Sequence, residues 1–320
     1  MAVTAEVEQE LEQYRRELTG YCYRMLGSAF EAEDAVQETM IRAWRGHRGF
    51  EGRSALRSWL YRIATNVCLD ALKGRQGRAR PMDLTSPVPV SEAYGTQLPE
   101  VTWIGPVPDA WVLAGDPAEL AAQRESVRLA FVAALQRLAP RQRAVLILRE
   151  VAGWSAAEVA ELLETTVASV NSAMQRARSA LAAQPGADAE PARPLDADQA
   201  ALLAKFVSAF ESFDLDRLAA LLAEDVVLSM PPFEMWLRGL DQYLLWLHGP
   251  GSGCRGSRLL PVSANGAPAF AQYRPDPDGG FVPWALQVLD VRDGRITGLH
   301  NFLDTDPLFP LFGLPPRLDG

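Results

Sequence analysis

Between Ser155 and Leu181 the side chains are arranged for recognition rather than for breaking bonds. Ser155 and Glu158 are spaced as a capping box, with a hydroxyl for a free first-turn N–H and a carboxylate reaching back. Val159, Leu162 and Leu163 give the helix between them and the turn an apolar side. A turn is expected around Glu164–Ala168, and Ser169 is expected to cap a second helix running to about Ala182. On that helix Val170, Met174, Ala177 and Leu181 recur at spacings of four, three and four, one stripe facing the core. Ser172, Gln175 and Ser179 lie opposite, with Arg176 beside them. Such a face can enter a major groove, read base edges and touch phosphates. Asn171 and Arg178 flank it, where backbone contacts fit. The same periodicity also describes an ordinary helical hairpin with a solvated face, and spacing alone does not choose.

Other chemistry finds little support. Cys22, Cys68 and Cys254 are widely separated, and His47, His248 and His300 cluster with none of them. No metal-ligand spacing and no cofactor motif is present, so neither a metal nor a cofactor is expected. The net charge of −9 argues against a nucleic-acid binder unless the cations are segregated. They are: Lys73, Arg75, Arg78 and Arg80 form one group, Arg141, Arg143 and Arg149 another, Arg176 and Arg178 a third. The charged N-terminus has no apolar core of a signal peptide, and no apolar run approaches the roughly 20 residues that span a bilayer. A cytoplasmic chain with no membrane partner is expected.

The elements that must carry these residues fall into several blocks. At 320 residues, two or three domains are expected. Residues 6–74 read as helices, interrupted by a glycine-rich loop at His47–Ser54, with a strongly apolar helix over Leu56–Leu72. Residues 75–116 are an acidic, proline-rich linker in which Pro81, Pro87, Pro89, Pro99, Pro106 and Pro108 break any long helix. Its aromatic residues, Tyr94, Trp103 and Trp111, need a surface to dock on. Residues 117–183 return to helix, and 184–197 form a second linker. Residues 198–306 open with helices at Ala200–Phe210 and Leu215–Leu222. Strand-like runs come next at Val226–Met230, Ala267–Tyr273, Ala285–Val291 and Arg295–Phe302, the last two joined by an Asp293-Gly294 hairpin signal. Residues 307–320 read as a tail. The whole is multidomain: an all-α part followed by an α+β domain.

Longer strings carry a resemblance. Leu138 to Glu150 (LAPRQRAVLILRE), Gly153 to Ala160 (GWSAAEVA), Val170–Ser172 and Arg176–Arg178 resemble region 4 of sigma-70 family factors, whose helix-turn-helix reads the −35 element. Glu31 to Thr39 (EAEDAVQET) and Arg57 to Ala64 (RSWLYRIA), with Asn66 and Asp70, resemble region 2. Two motifs in that order, joined only by a linker, are similar to an extracytoplasmic-function (ECF) sigma factor. The resemblance implies core RNA polymerase, through its β′ and β subunits, and promoter DNA as partners. It implies that Asp34, Gln37, Glu38 and Ile41 meet the polymerase. It places Arg62, Asn66, Lys73 and Arg75 at the −10 element, while Trp59, on the apolar stripe of the same helix, reads as core. At the −35 element it places Ser169, Asn171, Ser172, Gln175, Arg176 and Arg178. Asn171 and Ala173 stand where such factors commonly carry cations, so the usual −35 preference is not carried over. The linker, acidic at Asp83, Glu92, Glu100 and Asp109, would thread toward the polymerase active-site channel.

Residues Asp198–Asp304 resemble a SnoaL-like, or NTF2-like, cone-shaped domain, and the layout resembles the SigG-like group of these factors. Relatives of that domain include isomerases and cyclases, for which Asp225, Glu234, His248, Asp290 and His300 are the acid/base candidates here. Strand alternation puts Ile296, Gly298, His300 and Phe302 on one face, so that His300, with Trp236, would line a cavity. The reading is a regulatory domain with a small-molecule ligand as an open partner. The rivals are an enzyme of the isomerase type fused to a DNA-binding module, and a plain helix-turn-helix repressor.

Overall fold

A computed structural model describes residues 9–47, 55–92, 95–113, 117–182 and 197–320. Most of the His47–Ser54 loop, Tyr94 and nearly all of the 184–197 linker lie outside the described residues. The chain forms two units. One joins residues 1–78 to 109–189, and the other joins 79–108 to 190–320.

The first unit is helical. α1 (Arg15–Leu26) stops at Gly27, whose left-handed φ of 75° lets its N–H turn back to the Tyr23 carbonyl. Ser28 caps α2 (Ala29–Gly46) by accepting from the Glu31 N–H. Ala32, Ala35, Val36, Thr39 and Ala43 bury one side of α2. α3 (Leu56–Ala71) buries Leu60, Tyr61, Ala64, Thr65, Val67 and Cys68, and the Tyr61 neighbour Tyr21 shares a 2.8 Å hydrogen bond with Thr65. Further along are α4 (Pro117–Val127), α5 (Leu129–Gln136), α6 (Pro140–Leu146), α7 (Ala156–Leu162) and α8 (Val167–Ala182). A wide helical turn at Ile147–Val151 prolongs α6.

The second unit is α+β. α9 (Ala197–Glu211) and α10 (Leu215–Leu221) precede a six-stranded sheet. Its strands are β1 (Leu222–Ser229), β2 (Trp236–Arg238), β3 (Arg258–Ala264), β4 (Ala267–Pro275), β5 (Phe281–Arg292) and β6 (Arg295–Phe302). The order is β2-β1-β6-β5-β4-β3, with β1 parallel to β6 and the other pairs antiparallel. Phe206, Phe210 and Leu218 of the helices pack on Phe270, Leu289 and Leu299 of the sheet. α11 (Leu240–His248) adds Tyr243 and Trp246 to the same core. α12 (Thr305–Leu311) comes after β6 within the stretch that reads as a tail in the sequence, and buries Leu308 and Phe309.

Residues 79–108 of the proline-rich linker are part of this second unit. Proline removes donors, and the donors that remain are matched by the domain. The Val88 N–H donates to the Trp236 carbonyl at 3.1 Å, and the Leu98 N–H to the Pro232 carbonyl at 2.9 Å. The Glu234 N–H donates to the Thr96 carbonyl at 3.0 Å. Farther along, Asn265 clamps Val107 from both sides: its Oδ1 accepts the Val107 N–H, and its own N–H donates to the Val107 carbonyl, both at 3.1 Å. Asn265 is able to do this because it sits with Gly266 in a hairpin turn, both at positive φ. Trp103, Ile104 and Val107 are buried.

A side chain on a free linker would contribute little to stability. Trp103→Ala is expected instead to lower the stability of the full chain by about 3–5 kcal/mol, the usual cost of emptying a buried tryptophan site. Urea unfolding tracked by a β-sheet signal checks this, and a change within about 0.5 kcal/mol would mean that the linker is only laid on the surface.

Candidate nucleic-acid interface and the C-terminal cavity

The helix-turn-helix is built as its sequence requires. Ser155 Oγ accepts the Glu158 N–H at 3.2 Å, and Glu158 Oε2 accepts the Ser155 N–H at 2.7 Å. Glu164, at φ 50°, turns the chain. The second helix starts earlier than the sequence suggests: the Ser169 N–H donates to Thr166 Oγ1 at 3.1 Å, so the capping hydroxyl is Thr166 and Ser169 lies inside the first turn. Val170, Met174 and Ala177 are buried, while Ser169, Asn171, Ser172, Gln175, Arg176 and Arg178 are all exposed. One of these cations is already engaged, since Arg178 donates to Glu150.

The same holds in the first region. Asn66 is exposed and Arg62 half-buried on α3. Lys73 is 2.7 Å from Asp70, and Arg75 is 2.6 Å from Glu31. The Arg78 side chain is buried 3.2 Å from Glu31, and Arg80 pairs with Asp83, so neither offers the open phosphate contact that the basic cluster suggests. The ring of Trp59 lies against Gly46, where any Cβ would be 3.1 Å from it.

On α2 the exposed residues form a second surface. Asp34, Gln37 and Ile41 are exposed, and Glu38 is half-exposed in a 2.6 Å ion pair with Arg42. Phe30 and Trp44, 36% and 50% exposed, extend the row at spacings of four and three. The sequence periodicity groups Trp44 with the apolar positions of the helix. Its register with Asp34 and Gln37 is the signal that it faces outward.

The C-terminal cavity lies among Phe210, Tyr243, Trp246, Gln272, Gln287 and Asn301, with a volume of about 10 Å³. Trp246 Nε1 and Gln287 Oε1 are buried without a hydrogen-bond partner, and Gln287 Nε2 donates to Gln272 Oε1 at 2.8 Å. Burial holds the Tyr243 hydroxyl well above its ordinary pKa. His300 and Trp236 do not line this cavity. Strict alternation along β6 fails at a bulge, where the register shifts between Asp290 and Val291. Ile296 therefore joins Leu299 in the core, while His300 takes the face opposite Asn301. There its Nδ1 lies 2.9 Å from Ser229 Oγ and its Nε2 3.0 Å from Asp290 Oδ2. Gly298 leaves the room, since a Cβ would be 3.0 Å from that carboxylate. Although the types suggest a hydrolase triad, Ser229 is 1% exposed and stands outside the cavity lining. Trp236 gives its indole N–H to the Thr85 carbonyl of the linker at 3.0 Å. Asp225 and His248 are exposed on the surface. Among the described residues no group of three His, Cys, Asp or Glu side chains could hold a metal ion, and no helix is long and apolar enough to cross a membrane.

Comparison with known proteins fits this division. Residues 11–78 match the family Sigma-70 region 2, residues 128–181 match Sigma-70, region 4, and residues 203–299 match the SnoaL-like domain. The chain is 46% identical over 310 residues to the ECF RNA polymerase sigma factor SigG of Mycobacterium tuberculosis, covering 96% of this chain and 83% of that protein. It is 28% identical to the ECF RNA polymerase sigma factor SigJ of the same organism, over 93% of this chain and 91% of that one. The crystal structure of SigJ shares the fold at a TM-score of 0.61 and 24% identity, covering 96% of this chain and 99% of that one.

The Glu150–Arg178 pair makes a quantitative expectation possible. Glu150→Gln frees one cation on α8. It should steepen the dependence of DNA affinity on salt by about one phosphate contact in a log–log plot. Fluorescence anisotropy across a salt series reads this slope, and an unchanged slope would take Arg178 off the DNA.

Proposed function

The chain belongs to the ECF sigma factors of RNA polymerase, and from that premise we propose how its surfaces divide the work of starting transcription. The observation that carries the proposal is the row Phe30, Asp34, Gln37, Ile41 and Trp44 on α2. Three apolar side chains exposed on one helix face cost solvation and gain it back when covered. The interleaved carboxylate and amide fit a basic partner. Core polymerase is that partner, with Glu38 at the edge. Asn66 with Arg62, Lys73 and Arg75 meets the −10 element, and Ser169, Asn171, Ser172, Gln175, Arg176 and Arg178 meet the −35 element. The protein works in the cytoplasm beside the polymerase, and its role is initiation rather than catalysis.

The C-terminal domain regulates through the linker. A segment stapled to a domain from Thr85 to Val107 is not an extended strand free to enter a polymerase channel. Release of the linker is then the step that couples the domain to initiation. The cavity plays a lesser part, since about 10 Å³ is the room of a single water and a larger ligand would have to open it first.

Run-off transcription with core polymerase tests both halves. Ile41→Glu places a charge in the centre of the α2 row and should weaken core binding at least about tenfold, as loss of an interface centre does. Unchanged affinity would remove α2 from the interface. Truncation after Gln184 leaves the linker without its partner and should change promoter output. Equal output from the full chain and from 1–184 would remove the regulatory role.

A further inference from the structure

One wall of the C-terminal cavity rests on an arginine whose best hydrogen-bonding edge is almost unused. Arg274, near the end of β4, is half-buried, and among the described residues no carboxylate stands within ion-pair distance of it. Its Nη2 donates to Cys254 Sγ at 3.1 Å, and its Nε is buried without a partner. The N–H groups of Nε and Nη2 point the same way, as a fork that two carboxylate oxygens match. A thiol sulfur is a weak acceptor for half of that fork. The other support is an aromatic face, since the guanidinium carbon lies 3.1 Å from the centroid of the Trp284 ring.

Trp284 stands between the cavity and solvent. Gln272 pairs with Ala285 and Tyr273 with Pro283, so Trp284 is the extra residue of a bulge on β5. It lines the cavity beside Cys254, yet it is half-exposed where Cys254 is buried. A bulge residue has no cross-strand partner, so its ring can turn outward without breaking the ladder.

Elsewhere the lining offers one donor and one acceptor. Trp246 Nε1 and Gln287 Oε1 are unpartnered, in side chains of residues 4% and 3% exposed. Neighbouring amides settle which end of Gln287 is offered. Gln287 Nε2 donates to Gln272 Oε1 at 2.8 Å, and Gln272 Nε2 donates to Ser257 Oγ at 2.9 Å. Gln287 therefore has an acceptor to spare and Trp246 a donor. Buried polar atoms left unpaired are destabilising, so a ligand that pairs them gains what the free domain lacks.

We propose that the C-terminal domain binds a small aromatic acid that carries a hydroxyl group. Its carboxylate takes the Nε–Nη2 edge of Arg274. Its ring replaces the Trp284 indole, which turns outward and supplies the room that about 10 Å³ does not. Its hydroxyl accepts from Trp246 Nε1 and donates to Gln287 Oε1. A ketone or an ether in that place would leave the Gln287 oxygen unpaired. Phe210, Leu228, Met230 and Leu299 give the apolar sides that such a ring needs.

Isothermal titration calorimetry on the full chain tests the site with 4-hydroxybenzoate, 4-hydroxyphenylacetate and 4-hydroxycinnamate, each against its carboxamide. At least one acid should bind about tenfold or more tighter than its amide, the worth of hydrogen bonds to a charged group. The same acid without its hydroxyl should bind roughly threefold to tenfold more weakly. Arg274→Gln should erase the preference for acid over amide and keep the preference for the hydroxyl, and Gln287→Leu should do the reverse. Trp284→Ala has no ring to displace and should bind the acids more tightly than the parent chain. The acid–amide comparison needs no variant, so it decides the matter even where a substitution disturbs folding. Acids and amides that bind alike overturn the Arg274 contact, and a hydroxyl that adds nothing overturns the inner one. Absence of binding by both the parent chain and a folded Trp284→Ala overturns the site. All of these readouts are of binding, so they stand apart from whether the domain regulates initiation.

Discussion

A guanidinium sealed away from water with no acid to neutralise it is the constraint around which the helical unit is built. Taking such a charge out of water costs several kcal/mol even after relaxation, and burial pushes the pKa of Arg143 down to about 10. It stays charged at neutral pH because carbonyl dipoles replace the carboxylate. The Leu135, Gln136 and Leu138 carbonyls come from the end of α5, and the Met25 carbonyl from the end of α1. Both helices turn their negative ends toward the cation. With Gln136 Oε1, which also accepts from Nη1, five acceptors must be in place together, so Arg143 fixes where α5 ends, where α6 begins and where α1 lies against them. Gly77 shows how little slack remains: a Cβ there would sit 2.3 Å from the Gln136 carbonyl oxygen.

The second unit solves the opposite problem. A chain segment with prolines at 81, 87, 89, 99, 106 and 108 cannot bond to itself, so its remaining N–H and C=O groups need outside partners. The sheet supplies them. β3 is an edge strand and its hairpin turn offers Asn265 to Val107, while β2, at the other edge, offers Trp236 to Val88 and Thr85. Edges are where a sheet has backbone groups to spare. The linker covers rims that would otherwise be sticky, and the domain gives the linker a conformation.

The helix-turn-helix is legible in the sequence because its signals are local: a capping box, a stripe at four, three and four, and a turn between them. Its start is ambiguous because Thr166 and Ser169 are both competent caps, and only the chain's path chooses. The Asp293-Gly294 hairpin is legible for the same reason, and both residues take positive φ. β2 escapes because three residues carry no alternation, and β3 because Pro261 reads as a breaker until it is seen on an edge. His300 shows the limit most clearly. Alternation is a counting rule, and one extra residue, Thr297 on β6 opposite Asp290 and Val291, reverses the faces on one side of it relative to the other. The linker shows a different limit. The Val107 N–H finds Asn265 Oδ1 across 158 positions of sequence, and no window along the chain contains both.

The acidic total charge acquires a physical meaning once the cations are placed. Lys73 faces Asp70, Arg75 faces Glu31, and Arg178 faces Glu150. These pairs are largely exposed, so each adds little to stability, about 0–1 kcal/mol. Their effect on DNA binding is larger. A cation already paired to a carboxylate brings no fresh charge to the phosphates, and releasing it leaves an acid beside the backbone. Affinity for DNA is dominated by such contacts. With Lys73, Arg75 and Arg178 balanced in place, these three positions would add little to the unit's hold on DNA at any sequence. In the proposed division of the work, specific contacts from Asn66, Ser172, Gln175 and Arg176 would matter only once promoter and reader are brought together, which polymerase docked on the α2 row would do.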